Sequence, residues 1–386
     1  MAQIRMVRLG DICKVVSGTT PKTENPDYWD GNLNWITPAE ITDETVVICE
    51  SQRKITQAGV KSCGLTPFPA GTVILSSRAP IGKTAIAGVD MYCNQGFKNL
   101  ICSDLVFNKY LFWFLRSKTD YLNFLGRGAT FKEISKKIVE EIEIPLVSME
   151  QQQSVAAILD KVSAVIALRK RQLAKLDELV KARFVEMFGD PILNNKNWPM
   201  VTLGEIAELR IGPFGTLLHK EDYISGGHAL VNPSHIINGT IRTDDNLTIS
   251  DSKYEELSAY QLQIGDIVLG RRGEMGRCAV VRVEGLLCGT GSMIIRPNNQ
   301  MKPYFLQNII SRPEYKEIIE SKAVGITMMN LNVPIVSTLS VPLLPLDLQD
   351  NFTDYMSKIE KLRLTIRQGL DKMETLKRAL MQEYFT

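Results

Sequence analysis

The chain contains 386 residues with 45 basic and 43 acidic side chains, which gives a formal net charge of +2. Its composition, 44% hydrophobic and 23% charged, is typical of a globular protein. No apolar run is long enough to span a membrane, and the first residues lack an apolar signal core. The length predicts two or more domains, and the balanced charge excludes the strong basic excess of many nucleic-acid-binding proteins.

The seven cysteines are scattered along the chain, and no two of them form a C-x-x-C pair. Structural zinc sites and disulfide frameworks need closely spaced or paired cysteines. We therefore expect a reducing compartment, the cytoplasm, and no bound metal.

The first predicted element in chain order is an α+β domain over residues 1–147. Its short β-type runs, such as "TVVIC" and "TVILSS", are separated by Gly, Pro, Asn and Asp. The segment "FNKYLFWFLRSKTDYLNFL" (107–125) has a mixed apolar face, which predicts one helix. Trp35 and Phe97 are predicted to be core aromatics.

A long helix is predicted next, over residues 148–190. Its apolar residues recur every three or four positions, at Val155, Leu159, Val162, Ile166, Leu173, Leu176, Val180 and Met187. A long helix with such a narrow apolar seam is typical of a coiled-coil partner.

The second half of the chain repeats the first half. "MVRLGDICKVVSG" (6–18) recurs 194 residues later as "MVTLGEIAELRIG" (200–212), and "VILSSRAPIGKTAIAG" (73–88) recurs as "IVLGRRGEMGRCAVV" (267–281). A period this long marks a duplicated unit of domain size. It predicts a second α+β domain over residues 195–344.

A second long helix is predicted over residues 345–386. Its seam contains Phe352, Met356, Ile359, Ile366, Leu370, Met373, Leu380 and Tyr384. The simplest closure is an antiparallel coiled coil of the two helices within the chain, with the two globular domains at opposite ends and an approximate two-fold axis between them.

Four cations interrupt the two seams. Arg169 and Arg183 lie in the first seam, and Arg363 and Lys377 lie in the second. Their long stems could carry the charges out of the seam to water. Alternatively, these cations fix the pairing and the register of the helices.

This plan resembles the specificity (S) subunit of type I restriction–modification systems. The resemblance covers the whole chain and rests on "GTTPKTENPDYWDGNLNWITPAEI" (18–41), "VILSSRAPIGKTAI" (73–86), "NQGFKNL" (94–100) and "IPLVSMEQQ" (144–152). The second copy differs, for example in having "GTGS" (289–292) in place of "NQGF", as expected if each domain recognises a different half-sequence.

The resemblance implies a non-catalytic protein with two target-recognition domains, each of which reads one half of a split double-stranded DNA sequence. Two methyltransferase subunits would bind around it and methylate adenines. Restriction subunits would then complete the complex. S-adenosylmethionine, ATP and magnesium are expected on these partner subunits and not on this chain.

One repeated segment, "SRAPIGKT" (77–84), is close to a nucleotide-binding G-x-x-x-x-G-K-[ST] loop. Ser77 replaces its first glycine, and the second copy has Arg277 and Cys278 in place of the lysine and threonine. A nucleotide loop needs its hydroxyl and its metal, whereas DNA phosphates need only positive charge and close backbone approach. The cations of this segment therefore indicate phosphate contacts, with surface salt bridges as the alternative.

Two further segments look like chemical motifs. "NPDY" (25–28) and "VNPSH" (231–235) are similar to the N-P-P-aromatic motif of adenine methyltransferases, but each lacks the second proline and a preceding cofactor strand. They are predicted to be turns. The three histidines (His219, His228 and His235) lack metal spacing and are expected to be exposed or to read bases.

The loops 17–31 and 211–227 are polar and rich in Gly and Pro, so they could project into a DNA groove, although ordinary surface loops have the same composition. Together with the repeated cations they supply the predicted DNA contacts. These candidates are Thr20, Lys22, Asn25, Arg78, Lys83, Lys98, Arg127, Thr130, His219, Lys220, Arg271, Arg272, Arg277 and Thr327.

The sequence thus predicts a subunit that recognises a split DNA target. One alternative is a self-sufficient DNA-modifying enzyme, which would bind S-adenosylmethionine or ATP by itself. The other is a coiled-coil scaffold for proteins, which would not retain DNA.

Overall fold

The fold was analysed in a computed structural model that describes residues 5–78, 80–127, 132–273, 275–323 and 330–385. The chain divides into two compact units, one formed by residues 1–172 and 366–386 and the other by residues 173–365. Each unit contains one globular domain and parts of both long helices. No described helix is both long enough and apolar enough to cross a membrane.

The first globular domain is an α+β domain, as predicted. Its strands are β1 Arg5–Arg8, β2 Cys13–Val16, β3 Trp29–Ile36, β4 Val47–Ile48, β5 Arg53–Ile55, β6 Val73–Leu75, β7 Thr84–Ala87, β8 Tyr92–Cys93, β9 Asn99–Cys102 and β10 Glu143–Leu146. Its helices are α1 Leu9–Ile12, α2 Gln57–Ser62, α3 Asn108–Ser117, α4 Thr119–Leu125 and α5 Lys136–Glu141, and the first long helix, α6 Met149–Phe188, follows. Short 3₁₀ turns occupy Pro26–Tyr28 and Pro38–Glu40.

Three sheets build this domain, with strand orders β2-β9-β6-β7-β4, β5-β3-β8 and β1-β10. Helix α3 packs on β6 and β7, and its residues from Tyr110 to Leu115 are all buried. Trp35 and Phe97 are buried too, which confirms their predicted place in the core.

The prediction of one helix over residues 107–125 was wrong, because α3 ends at Ser117 and α4 begins at Thr119. The hydroxyl of Ser117 donates to the carbonyl of Phe114 (2.7 Å), and that of Thr119 donates to the carbonyl of Arg116 (3.1 Å). Such side-chain bonds compete with the helical backbone for its carbonyls. They accompany the break at Lys118.

The second globular domain repeats the architecture. Its strands are β11 Met200–Thr202, β12 Ala207–Ile211, β13 Tyr223–Ile224, β14 His228–Val231, β15 Ile236–Ile237, β16 Thr240–Ile241, β17 Thr248–Ile249, β18 Ile267–Gly270, β19 Cys278–Val280, β20 Leu287–Cys288, β21 Ser292–Pro297 and β22 Ser340–Pro342. Its helices are α7 Leu203–Ile206, α8 Asp251–Glu256, α9 Pro303–Ile310, α10 Pro313–Lys322 and α11 Val333–Ser337, and the second long helix is α12 Leu346–Phe385. Short 3₁₀ turns occupy Gly215–Leu217, Lys220–Asp222, Pro233–His235 and Ser258–Tyr260.

The strand order β2-β9-β6-β7 of the first domain recurs as β12-β21-β18-β19 in the second. The parallel pair β3–β8 recurs as β14–β20, and the ribbon β1–β10 recurs as β11–β22. The duplication predicted from the sequence is therefore confirmed in the fold.

The long helices pair antiparallel, as predicted. In the first unit Lys170 of α6 lies 3.3 Å from Glu374 of α12. In the second unit Asp177 bonds to Arg363, and the rings of Phe184 and Phe352 lie 5.3 Å apart. Partner numbers on α12 fall as the numbers on α6 rise, which defines the antiparallel direction.

The predicted seam residues are buried or half-buried in both helices. Two buried aromatic residues at the end of α6, Phe184 and Phe188, were missed. They pack with Phe305 and Phe352 at centroid distances of 5.0–5.4 Å. Through this cluster the second domain shares its core with both helices.

The four seam cations behave differently, and Arg169 is half-buried. Arg183 is exposed and pairs with Glu186 on its own helix, so its stem leaves the seam. Lys377 lies 4.7 Å from the ring centre of Trp113, and burial together with Arg116 and Lys170 lowers its pKa. Arg363 is 9% exposed and bonds across the seam to Asp177, which supports a pairing role.

Glu360 is the centre of the ionic network around Arg363. One of its carboxylate oxygens accepts a hydrogen bond from Arg363 (2.9 Å), and the other accepts one from Arg282 of the second domain (2.7 Å). The Glu360 side chain is 12% exposed, so this carboxylate neutralises two cations in a largely buried site. It joins α12 to the globular domain.

We predict that Glu360→Gln lowers the free energy of unfolding by about 2–4 kcal/mol, because partly buried Arg282 loses its carboxylate partner and Arg363 keeps only Asp177 among its described partners. Arg363→Met is the matched variant, and it should cost less than about 1 kcal/mol. It leaves Glu360 paired with Arg282, removes a buried Nε that has no partner among the described residues, and returns Asp177 to water. Denaturant unfolding of both variants tests this order, and equal losses would contradict it.

Candidate nucleic-acid interface

Three turns lie side by side at the ends of the strands in each globular domain. In the first domain the amide of Thr19 donates to the carbonyl of Cys93 (3.1 Å), and the amide of Ser77 donates to the carbonyl of Gly96 (2.8 Å). These bonds place three turns next to one another, formed by residues 17–25, by 76–78 with 80–83, and by 94–97. We call the surface that they form the three-turn surface.

The second domain forms the equivalent surface from three turns, made by residues 211–222, by 270–273 with 275–277, and by 289–292. The amide of Gly212 donates to the carbonyl of Ser292, and the amide of Arg271 donates to the carbonyl of Gly291, both at 3.0 Å. Most of the predicted DNA contacts are therefore brought together in two surfaces of the same construction, one in each domain.

Shared glycines fix the backbone of these turns. Gly82 and its counterpart Gly276 have positive φ angles of 95° and 79°, which side-chain-bearing residues rarely adopt. A Cβ on Gly18 would lie 1.8 Å from the carbonyl oxygen of Cys93, and one on Gly212 would lie 2.1 Å from that of Gly289. The glycines that the two copies share are thus explained by the fold.

The segment similar to a nucleotide loop is closed by its own hydrogen bonds. The amide of Gly82 donates to the carbonyl of Ser76 (3.0 Å), and the amide of Lys83 donates to the Ser76 hydroxyl (2.9 Å). A phosphate-binding loop needs such amides pointing at the ligand. In the described part of this turn, these two amides are therefore not free to bind a phosphate.

Several predicted contacts in the first domain are engaged within the protein. Lys98 is 7% exposed and pairs with Glu133 (3.1 Å), and the Lys83 ammonium donates to the carbonyl of Pro38 (3.1 Å). The backbones of Arg78 and Arg127 also pair with that of Glu133, so three of the predicted cations meet there. Arg127 is exposed and Arg78 is half-buried.

Two indole side chains hold the backbone of the loop 17–25 by hydrogen bonds. The Nε1 of Trp35 donates to the carbonyl of Thr19 (3.1 Å), and that of Trp29 donates to the carbonyl of Lys22 (3.2 Å). The Thr20 hydroxyl bonds to Gln95 of the neighbouring turn. The Lys22 side chain is exposed on a loop whose backbone is fixed.

The segments compared with methyltransferase motifs are turns, as predicted. Asn25 caps the 3₁₀ turn Pro26–Tyr28 by accepting from the amide of Asp27 (3.0 Å), so its side chain has a local role. "VNPSH" ends in the 3₁₀ turn Pro233–His235. Among the described residues, no three His, Cys, Asp or Glu side chains are grouped to hold a metal ion.

In the second domain the adjacent arginines differ. Arg271 is 6% exposed and its Nε donates to the carbonyl of Leu331 (3.0 Å). Burial lowers its pKa, and the neighbouring Arg272 lowers it further. Arg272 is exposed, and Arg277 is half-buried.

His219 and Lys220 are exposed on the loop 211–222, where the His219 amide donates to Asp222 (2.6 Å) and begins a 3₁₀ turn. The expectation for His235 was wrong. It is 8% exposed, and its Nδ1 bonds to the backbone of Leu230 and Asn232.

His228 is half-buried and stacks on Tyr254 with ring centres 3.8 Å apart. Thr130 and Thr327 lie outside the described residues.

Sequence reasoning missed one exposed cation that contacts the indoles supporting the loop 17–25. Arg53 of β5 lies over the ring of Trp29, with 3.8 Å between its guanidinium carbon and the ring centre. The alternation in "RKI" could have placed Arg53 and Ile55 on one face of the strand. Its tryptophan partner lies in another strand, so the local sequence pattern does not reveal the contact.

The comparisons with known proteins match this architecture. A family model described as "Type I restriction modification DNA specificity domain" matches residues 1–178 and again residues 195–374. The MjaIX specificity subunit of a type I restriction enzyme from Methanocaldococcus jannaschii is 32% identical over 296 residues, which cover 72% of this chain and 68% of that protein.

Solved structures show the same fold. The type I restriction-modification S subunit from M. genitalium is similar over 100% of this chain and 97% of its own, with a TM-score of 0.62 and 16% identity. A chain solved in work on complex assembly and conformational transition of the type I R-M system gives a TM-score of 0.59 and 18% identity, over 100% of this chain and 98% of that one.

The chain is therefore a tandem pair of DNA specificity domains. It belongs to the family of type I restriction–modification specificity subunits, as the sequence resemblance indicated.

We predict that Arg271→Met and Arg272→Met have different effects, because Arg271 has a structural role and Arg272 contacts DNA. Arg271→Met should cost about 1–3 kcal/mol of stability, because the buried Leu331 carbonyl loses its donor. Arg272→Met should change stability by less than about 0.5 kcal/mol, as exposed substitutions usually do, and should weaken DNA binding. Thermal melting and DNA affinity of the assembled complex measure both effects, and the reverse order would contradict this assignment.

Proposed function

We propose that this chain recognises a split DNA sequence for a type I restriction–modification complex, with each globular domain reading one half. The observation that carries the proposal is the duplication itself. The two domains share the glycines and strand order that build the three-turn surface, but they differ in the exposed residues on it, such as Lys22 in one and His219 and Lys220 in the other.

Within this proposal the residues divide by role. Exposed loop residues that differ between the copies suit contacts with base edges, which carry sequence information. Both copies have an arginine at the position of Arg78 and Arg272. This position suits contacts with phosphates, because such contacts orient the protein on DNA and carry no sequence information. Lys22, Arg127, His219, Lys220 and Arg272 are the exposed members of the predicted set and the strongest candidates.

The catalytic steps belong to partner subunits in this proposal. Two methyltransferase subunits would bind the chain, supply S-adenosylmethionine chemistry and surround the DNA, and restriction subunits would bring ATP and magnesium. The net charge of +2 supports this arrangement. A chain with so little positive charge gains little affinity from counterion release, so partners must supply part of the phosphate contact. The complex would act in the cytoplasm.

Methylation sequencing of a genome that carries this chain with its methyltransferase partner tests the proposal. We expect one methylated motif made of two defined halves around an unspecified gap. A continuous motif would contradict the split-target model. Cofactor binding by the purified chain in calorimetry would favour a self-sufficient enzyme, and a partner complex that never retains DNA would favour a scaffold.

The paired helices should set the gap between the half-sequences. Inserting four residues between Lys175 and Leu176 of α6 adds roughly 6 Å of helix. Because DNA advances about 3.4 Å per base pair, the motif should keep both halves and gain about one or two base pairs of gap. The same four residues inserted after Val283, in an exposed turn, lengthen no helix and should leave the gap unchanged. An active α6 insertion with the original gap would show that the helices do not set it.

A further inference from the structure

Arg53 occupies an unusual place in the first domain. It lies on β5 opposite Trp35 of β3, and its guanidinium carbon is 3.8 Å from the ring centre of Trp29 and 5.7 Å from that of Trp35. The two indoles are themselves buried and meet edge to face at 5.0 Å. The arginine is exposed and covers this pair from the solvent side.

The hydrogen-bond donors of Arg53 are unused within the part of the chain that the structure describes. Its guanidinium carries five N–H donors and makes neither a hydrogen bond nor an ion pair there. The next residue, Lys54, is by contrast paired with Glu50 (3.0 Å). Stacking on an aromatic face holds the planar guanidinium in place, so less side-chain entropy is lost when it binds a ligand.

The same indoles hold the DNA-facing loop of the first domain. Trp29 bonds through its Nε1 to the carbonyl of Lys22, while Arg53 covers its ring. Arg53 therefore contacts the ring that positions the loop 17–25 of the three-turn surface. One buried pair of indole rings therefore positions both the loop 17–25 and the Arg53 guanidinium.

The second domain has no equivalent cation. Its strand β17 (Thr248–Ile249) takes the place of β5, both of its residues are buried, and Leu247 stands 194 residues after Arg53. A cation that the fold of both domains needed would recur in both copies. One that occurs in a single copy suits recognition of a single half-sequence.

We propose that Arg53 reads a guanine in the half-sequence assigned to the first domain, by donating two hydrogen bonds to its O6 and N7 in the major groove. A planar guanidinium matches these two acceptors, and no other base edge in that groove offers the same pair. This inference rests on the proposed function and names a specificity-determining residue for it.

Two other roles for Arg53 give different results on substitution. If it only covers the indoles, Arg53→Met keeps an apolar cover and leaves the motif intact. If it binds a phosphate, its loss weakens binding to all sequences without changing the motif. Arg53→Gln is a second variant, with a polar side chain that suits an exposed strand position. Lys54→Met is the matched control, since it removes the adjacent cation of the same strand.

The experiment is methylation sequencing with the complete chain and its methyltransferase partner, together with melting temperatures of the complexes. In both Arg53 variants a guanine in one half of the motif should become degenerate, with a loss of preference of about 5- to 150-fold, as one bidentate contact provides. The other half, the gap and the Lys54→Met motif should match the wild type. The melting temperature of Arg53→Met should stay close to that of the wild type.

An unchanged motif in both Arg53 variants overturns the inference, whether or not the melting temperature falls. A uniform drop in methylation without degeneracy overturns it too, because that result assigns Arg53 to a phosphate. The motif methylated with the wild-type chain shows whether a failure concerns the proposed function or only the role of Arg53. If the wild type gives a split motif and the Arg53 variants retain it, only the role of Arg53 fails.

Discussion

The antiparallel pairing of the two long helices supports both globular domains, because each domain completes its core with residues from both helices. In the first unit Leu159 of α6 and Phe385 of α12 lie in the same hydrophobic cluster as Tyr110. In the second unit Phe184 of α6 and Phe352 of α12 pack with Phe305. Burying aromatic side chains of this size is among the largest single contributions to a core. Neither domain keeps its full core if one helix is displaced.

Under the proposed function, the duplicated sequence divides into residues that build the fold of both copies, called the frame, and exposed residues that contact DNA, called the reader. The frame consists of residues that both copies need for the same physical reason, such as the left-handed backbone of Gly82 and Gly276. The predicted DNA-contacting cations are not uniform. Lys98 and Arg271 are buried and bonded to protein atoms, whereas Arg272 is exposed. Repetition in a sequence therefore marks the frame, and DNA contact must be inferred from exposure as well.

The sequence predicted the larger features because each of them has a periodic signal. The spacing of seam residues such as Leu159 and Ile366 predicted both long helices, with ends within two residues of those observed. The repeat predicted the shared strand order. The break at Lys118 was missed because hydroxyl bonds to local carbonyls leave the apolar pattern unchanged.

The candidate site was less predictable, because burial and long-range partners decide what a charged residue does. The partner of Lys98 is Glu133, and that of Arg271 is the carbonyl of Leu331, 60 positions away in the chain. The proposed role of Arg53 depends on Trp29, which lies in another strand. His235 was misjudged for the same reason, since its ring bonds to backbone atoms that a sequence does not place.

The proposed function requires that each globular domain recognises its half of the DNA target independently of the other. Its most direct test is methylation sequencing of the double variant His219→Ala with Lys220→Ala, two exposed residues of the second three-turn surface. One half of the methylated motif should change or become degenerate, while the other half and the gap stay as in the wild type. A change in both halves, or an unchanged motif, would contradict the proposed function.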